Sequence, residues 1–317
     1  MGFMAGMTRS LRAAGGVLAA ALIVAACGGG SSRETFTPTR LIAFGDESSV
    51  ITSDGHKYSV NALKTDGTTY DCAGNSIWVQ YLATAYRLVF AECNPDAATD
   101  TKALMRAAVG AKVADLVAQV DAHLAVDAFT GKDLVTVLVG TNDIVEQYQT
   151  FPAQGEDAIK TTLAARGAAV AGQINRIANA GGKVLAITVP DVGLTPFALA
   201  EKAAHTDVDR AALLQRLSAA FNEALRLNLL NDGTKIGLVI EDELIQAYVG
   251  AGTTVFANVT EHACDPVAGP LPDCTTSTLV TNASATTWLW ASDLQMSPGA
   301  HARLGSAALS RAQNNPF

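Results

Sequence analysis

Polar residues that could do chemistry gather in four short segments of the chain. They are Phe44-Gly45-Asp46-Glu47-Ser48-Ser49, Gly140-Thr141-Asn142-Asp143, Pro190-Asp191-Val192-Gly193-Leu194-Thr195-Pro196, and the stretch from Trp290 to His301. The amide of Asn142 can donate to an oxygen that develops negative charge. Glu47 stands on a turn that leaves an apolar run. It is expected either to receive the amides of a following helix and act as a fixed anion or acceptor, or simply to fill a polar hole. Asp46 and Glu47 are not expected to work as an acid and base pair, because adjacent residues in such a turn diverge. Gln295 cannot cycle a proton near neutral pH. No Gly-Xaa-Ser-Xaa-Gly elbow occurs, and His301 is expected on the core side of the last helix. Trp288 and Trp290 could stack on sugar rings, although packing is the commoner role for tryptophans at the end of a sheet. The chain has no Cys-Xaa-Xaa-Cys pair and no His-Glu-Xaa-Xaa-His, and its histidines lie far apart, so neither a metal nor another cofactor is expected.

The elements that must position these residues follow from hydrophobic period. From Leu41 onward, short apolar runs alternate with longer segments of helical period, the pattern of a parallel sheet covered on both faces by helices. The expected strands are 41–44, 134–139, 184–189 and 236–240. The expected helices are 77–90, 111–125, 157–180 and 207–230, with a last one from Pro298 to about Ala312 that uses Ser297 as N-cap and proline in its first turn. Residues 252–287 read as an irregular, threonine-rich excursion. No interior linker is visible, so residues 40–317 read as one domain. In open sheets of this kind ligands bind beyond the carboxyl ends of the strands, where the segments above lie.

In their order and spacing these blocks resemble the SGNH hydrolases, also called GDSL esterases and lipases, over nearly all of the chain after its first residues. The resemblance implies an α/β fold with a flavodoxin-like sheet sandwiched between helices. It also implies ester hydrolysis by a serine, a histidine base and an orienting aspartate, with an oxyanion hole built from the serine's backbone amide, a glycine amide and an asparagine side chain. Carried over residue by residue, Glu47 stands at the nucleophile position. Anchoring on Ser297-Pro298 and His301 puts Gln295 at the histidine position and Ser292 at the aspartate position; a second register uses Asp293 and Met296. The segment Ala73-Gly74-Asn75-Ser76-Ile77-Trp78 is similar to the family's glycine block, which makes Gly74 or Asn75 the expected oxyanion residue beside Asn142. Asp143 and Asp191 are expected to be structural. A carboxylate that attacks an ester yields an anhydride less stable than the ester, so with Glu47 and Gln295 in place the serine route is closed.

Composition narrows the context. Of the 317 residues 49% are hydrophobic and 16% charged, which excludes disorder, and a net charge of −8 with scattered basic residues excludes nucleic-acid binding. The first 26 residues hold two arginines, no acid and an apolar run ending Val24-Ala25-Ala26-Cys27. This resembles a signal peptide with a bacterial lipobox, which implies lipidation of Cys27, a tether through residue 39, and anchorage in the envelope. Gly28 after the cysteine favours the outer membrane. The remaining Cys72, Cys93, Cys264 and Cys274 are even in number, as suits an exported protein. Short loop closure favours Cys72 with Cys93 and Cys264 with Cys274 among the three possible connectivities.

Two functions stay open at this level. One is a pseudoenzyme that binds a small acyl or acylated-glycan ligand, or serves as a structural partner. The other is a divergent hydrolase of acyl esters or acetylated polysaccharide using Glu47 or a neighbouring serine.

Overall fold

The computed structural model describes residue 2 and residues 35–317. The expected signal segment at 1–26, the lipidation at Cys27 and the first part of the tether lie outside the described residues. The compact unit runs from Phe36 to Phe317. It starts ahead of the boundary expected at residue 40, because Phe36 is buried and meets Phe317 edge-on with ring centroids 5.4 Å apart.

In chain order the elements are β1 (Arg40–Gly45), β2 (Ala62–Leu63), β3 (Tyr70–Asp71), α1 (Trp78–Ala85), β4 (Ala103–Met105), α2 (Val113–Leu124), β5 (Asp133–Leu138), α3 (Thr141–Tyr148) and α4 (Glu156–Asn179). Then come β6 (Lys183–Ile187), α5 (Pro196–Ala204), α6 (Arg210–Asn228), β7 (Ile236–Val239), α7 (Glu241–Gly250), β8 (Asn258–His262), β9 (Trp288–Trp290) and α8 (Pro298–Asn314). Five strands form the main sheet in the order β4-β1-β5-β6-β7, every pairing parallel. Leu41 lies opposite Ala103 on one side and Leu134 on the other. Residues 41–44 of β1, and Leu134, Val135 and Val137 of β5, are fully buried. Helices cover both faces, so every side chain of a central strand meets core, and the strands read as nearly continuous apolar runs, with Thr136 a buried exception in β5. On one face α1 packs on α8, which rests on β6 and β7; on the other, α2, α4 and α6 pack together, α2 against β1 and α4 against β6.

The chain leaves β1 for the edge strand β4 and then crosses back to β5, so the winding reverses between β1 and β5. At such a reversal the connections diverge and leave a crevice at the strands' carboxyl ends.

Several elements differ from the expectation. The edge strand β4 is three residues long, too short to show a period. Helix α1 stops at Ala85 and does not reach Phe90. Arg87 takes a left-handed backbone conformation at φ 58°, and Leu88 N–H reaches back to the Ala83 carbonyl at 2.8 Å, a closure that ends a helix. The short helices α3, α5 and α7 were not expected, although Thr195-Pro196 is a start signal for α5 and Thr195 caps it. The excursion at 252–287 contains β8, which pairs with β9 beside a small second core of Val60, Ala263, Cys264, Cys274, Trp288 and Ala291. Disulfides join Cys72 to Cys93 and Cys264 to Cys274, the favoured pairing. Among the described residues no helix is long and apolar enough to cross a membrane.

Candidate ligand cleft at the sheet ends

Glu47 is aimed by the end of β1. Gly45 has φ +133°, and a Cβ on it would fall 1.9 Å from the Leu138 carbonyl oxygen, so the approach of β1 to β5 requires glycine there. Asp46 N–H then donates to that same carbonyl at 3.1 Å, and the Asp46 side chain accepts from Ser48 N–H at 3.1 Å to cap a single 3-10 turn over Glu47–Ser49. The chain leaves this turn extended at Val50, so no helix follows from which Glu47 could take amides. The expectation of a helix N-terminus beneath Glu47 is thus corrected: Asp46 caps the turn, and Glu47 points away from it.

The donors to Glu47 come from three distant segments. Its Oε2 accepts from Gly110 N–H at 2.9 Å and from Asn142 Nδ2 at 3.0 Å; its Oε1 accepts from Gln295 Nε2 at 3.1 Å. Gly110 lies after β4, Asn142 in the first turn of α3 after β5, and Gln295 between β9 and α8. Asn142 also donates to Ala111 O at 3.1 Å, which locks it to the Gly110 loop. Asp143 holds the same loop from the other side. It accepts from Val113 N–H at 3.0 Å, at the start of α2, and from Arg166 at 2.9 Å. Asp191 caps the turn at Val192–Leu194 and accepts from Gln246, a structural pattern like that of Asp143.

Of the two registers open in the last block, the structure brings Gln295 to Glu47 and leaves Met296 buried, its carbonyl accepting from Ser59. The Gln295 carbonyl accepts from Ala291 and Ser292 N–H, and the Ser292 hydroxyl accepts from Gln295 N–H at 3.2 Å, so this turn fixes the glutamine's direction. Ser48 Oγ donates to Gln295 Oε1 at 3.4 Å. Glu47, Asn142, Ser292 and Gln295 therefore converge.

Gly74 and Asn75 do not join them. The Gly74 carbonyl accepts from the buried Lys57 ammonium, and Asn75, in a left-handed conformation at φ 48°, lines a separate cavity with Tyr81, Thr286 and Arg303. The backbone donor beside Asn142 is Gly110, which sequence reading missed. A backbone N–H carries no side-chain signature, and its position after an edge strand was hidden along with that strand. His301 is 1% exposed on the core side of α8; burial, then the charge of Lys57, lowers it to about 3. Trp290 is fully buried, donating to the Val259 carbonyl, and Trp288 packs in the second core, so neither presents a face to a sugar.

Around this floor lies a cleft of about 390 Å³. Its far wall comes from the disulfide-tied excursion, with Cys264, Pro266, Pro270 and Leu271; Val109, Leu294 and Tyr58 complete the apolar lining. His262 and Asp293 stand at its edge, His262 Nε2 lying 4.0 Å from Asp293 Oδ1. Burial, then the charge of Glu47, raises the Tyr58 phenol. Beneath the floor, burial and then the Glu47 charge push the Asp46 carboxyl up to about 8. Glu241, at the start of α7, is fully buried; burial, then Asp46 and Asp242, raise it well above the usual carboxyl range. The site is a fixed acceptor set over buried acids. Among the described residues no group of three His, Cys, Asp or Glu side chains is placed to hold a metal.

No curated protein is significantly similar in sequence. Among solved structures, an acetylxylan esterase from Geobacillus stearothermophilus aligns at 13% identity and a TM-score of 0.43, covering 88% of this chain and 96% of its own. A putative GDSL-like lipase from Parabacteroides merdae aligns at 16% and 0.43, over 87% and 97%. A member of the lipolytic G-D-S-L family from Veillonella parvula aligns at 12% and 0.40, over 86% and 96%. The sequence from residue 41 to 235, which carries β1 with Glu47, the Gly110 loop and Asn142, matches the family model of the GDSL-like lipases and acylhydrolases, and the chain belongs to that family.

Proposed function

We propose that this protein is an exported bacterial lipoprotein, anchored through Cys27 in the outer membrane, whose cleft binds a small ligand and does not hydrolyse esters. One observation carries this reading. The Gly110 N–H and the Asn142 amide, the donor pair that would meet a developing oxyanion, are both taken by Glu47 Oε2, at 2.9 and 3.0 Å. A permanent carboxylate oxygen holds the place of the transient one, so the donors offer nothing more to a transition state than to the resting protein.

The nucleophile and base are missing as well. Position 47 has no hydroxyl, Gln295 cannot accept a proton, and Ser48 has Gln295 Oε1 as its partner and no imidazole. In serine hydrolases, loss of the triad costs about 10⁶ in turnover, and loss of one oxyanion donor about 10² to 10³. Ester turnover is therefore expected to fall to background.

The test is hydrolysis of short- and medium-chain nitrophenyl esters by the chain from residue 28 onward, beside its Glu47→Ala variant. No turnover by either folded protein is the expected result; turnover that vanishes with Glu47 would make the protein a hydrolase and overturn the reading. Anchorage is tested separately by metabolic labelling with a fatty acid, which should mark the parent and not Cys27→Ser.

A further inference from the structure

The cleft is sided by charge. Glu47 stands on its floor and Asp293 at its edge; among the described residues its lining includes no lysine or arginine, and the one described lining side chain able to take positive charge, His262, already faces Asp293 at 4.0 Å. Beyond these, the neutral polar Ser292 and Gln295 lie at the floor, and Val109, Pro266, Pro270, Leu271, Leu294 and the ring of Tyr58 give an apolar and aromatic wall. Glu47 is 8% exposed and held by N–H donors on both oxygens. A carboxylate offers about four acceptor directions, so one remains on Oε1. An anionic head brought there, such as the carboxylate of a fatty acid, would meet repulsion in a desolvated place. An ammonium head finds the opposite: an open acceptor already fixed in direction, an aromatic ring beside it, and a second carboxylate at the edge.

Building on the ligand-binding reading above, we propose that the cleft takes an amphipathic cation, with its ammonium head on Glu47 and its apolar body along the Pro266–Leu271 wall. The volume of about 390 Å³ suits a small molecule and not a polymer segment. Glu47 thus becomes the head-group receptor, and the donors around it serve to hold the receptor still.

Octylammonium chloride below its micelle threshold is the probe, with sodium octanoate and octyl glucoside as chain-matched anionic and neutral controls. Binding to the parent protein is followed by titration calorimetry. Octylammonium should bind more tightly than either control, and Glu47→Gln should weaken it by about tenfold or more while leaving octyl glucoside unchanged. Should Glu47→Gln fold poorly, Asp293→Lys, at the exposed edge, replaces it and should also weaken octylammonium selectively.

Octanoate binding as well as octylammonium, no octylammonium binding up to millimolar concentration, or binding indifferent to both substitutions would each overturn the proposal. The ester assay run on the same samples separates the two readings. Glu47-dependent hydrolysis removes the pseudoenzyme reading, whereas silence in that assay with octanoate preferred removes this inference alone.

Discussion

The floor and the far wall of the cleft are built on different physics. The floor sits at the ends of three parallel strands, β1 and β5 buried on both faces and β4 at the edge, and its acceptor, Glu47, is held from Gly110, Asn142 and Gln295, segments spread across the chain. The wall is a local loop around Cys264–Cys274 with a small core of its own and an exposed tip, Val267 being 90% exposed. Change at the floor is expected to disturb several elements at once, and change at the exposed tip of the wall to stay local, although the base of the wall is held by Asn61, which donates to the Pro272 and Cys274 carbonyls. The comparison teaches that the polar floor depends on contacts between distant segments, whereas the wall is closed by a local disulfide.

A charge placed in the floor should show this most strongly. Asn142→Asp removes a donor to Glu47 and sets a second carboxylate against it, which should cost about 3–5 kcal/mol in urea unfolding. A loss under about 1 kcal/mol would mean that the floor is as tolerant as a surface.

The next effect appears in pH dependence. Because the Asp46 carboxyl is raised from 3.8 to about 8 in the folded protein, the unfolded chain gives up this proton first as pH rises. Its contribution is therefore fully present below about pH 4 and is lost as pH climbs toward 8. Asp46→Asn, which keeps an acceptor for Ser48 N–H, should flatten this decline and gain a few kcal/mol at pH 8 relative to the parent. Parallel stability curves from pH 4 to 8 would count against a protonated acid under the floor.

In the wall, replacing Cys264 and Cys274 by alanine opens a loop with a sequence separation of 10. The loss should be about 2–3 kcal/mol, with new protease cuts confined to residues 265–273. Cuts that spread into the sheet would show the wall and floor to be one cooperative unit. Val267→Ser at the tip should change stability by less than about 0.5 kcal/mol in the same assay.

Legibility in the sequence followed the same division. The three central strands and the edge strand β7 could be read because their residues are mostly buried, so the runs at Leu41, Leu134, Val184 and Ile236 are nearly continuous in apolar residues. The edge strand at Ala103 could not: three residues of Ala-Leu-Met also suit a helix. Of the expected site residues, Glu47, Asn142, Ser292 and Gln295 come together, each following a readable strand or preceding the readable Ser297-Pro298 start of α8. Gly74 and Asn75 lie elsewhere because a short motif at the right spacing says nothing of which loop reaches the crevice.

By itself the sequence determined the α/β class and the strand runs that carry Glu47 and Asn142, and it favoured without fixing the cysteine pairing that the structure shows, because apolar runs and short loop closure can be read along a chain. The tertiary structure alone decided that Gly110 is the backbone donor, that Gln295 and not Met296 faces Glu47, and that the excursion forms the wall of the cleft. These are contacts between segments far apart in sequence. They are set by how β4 and β5 flank β1 and by where the last turn lands, and no periodicity along the chain encodes a distance across it.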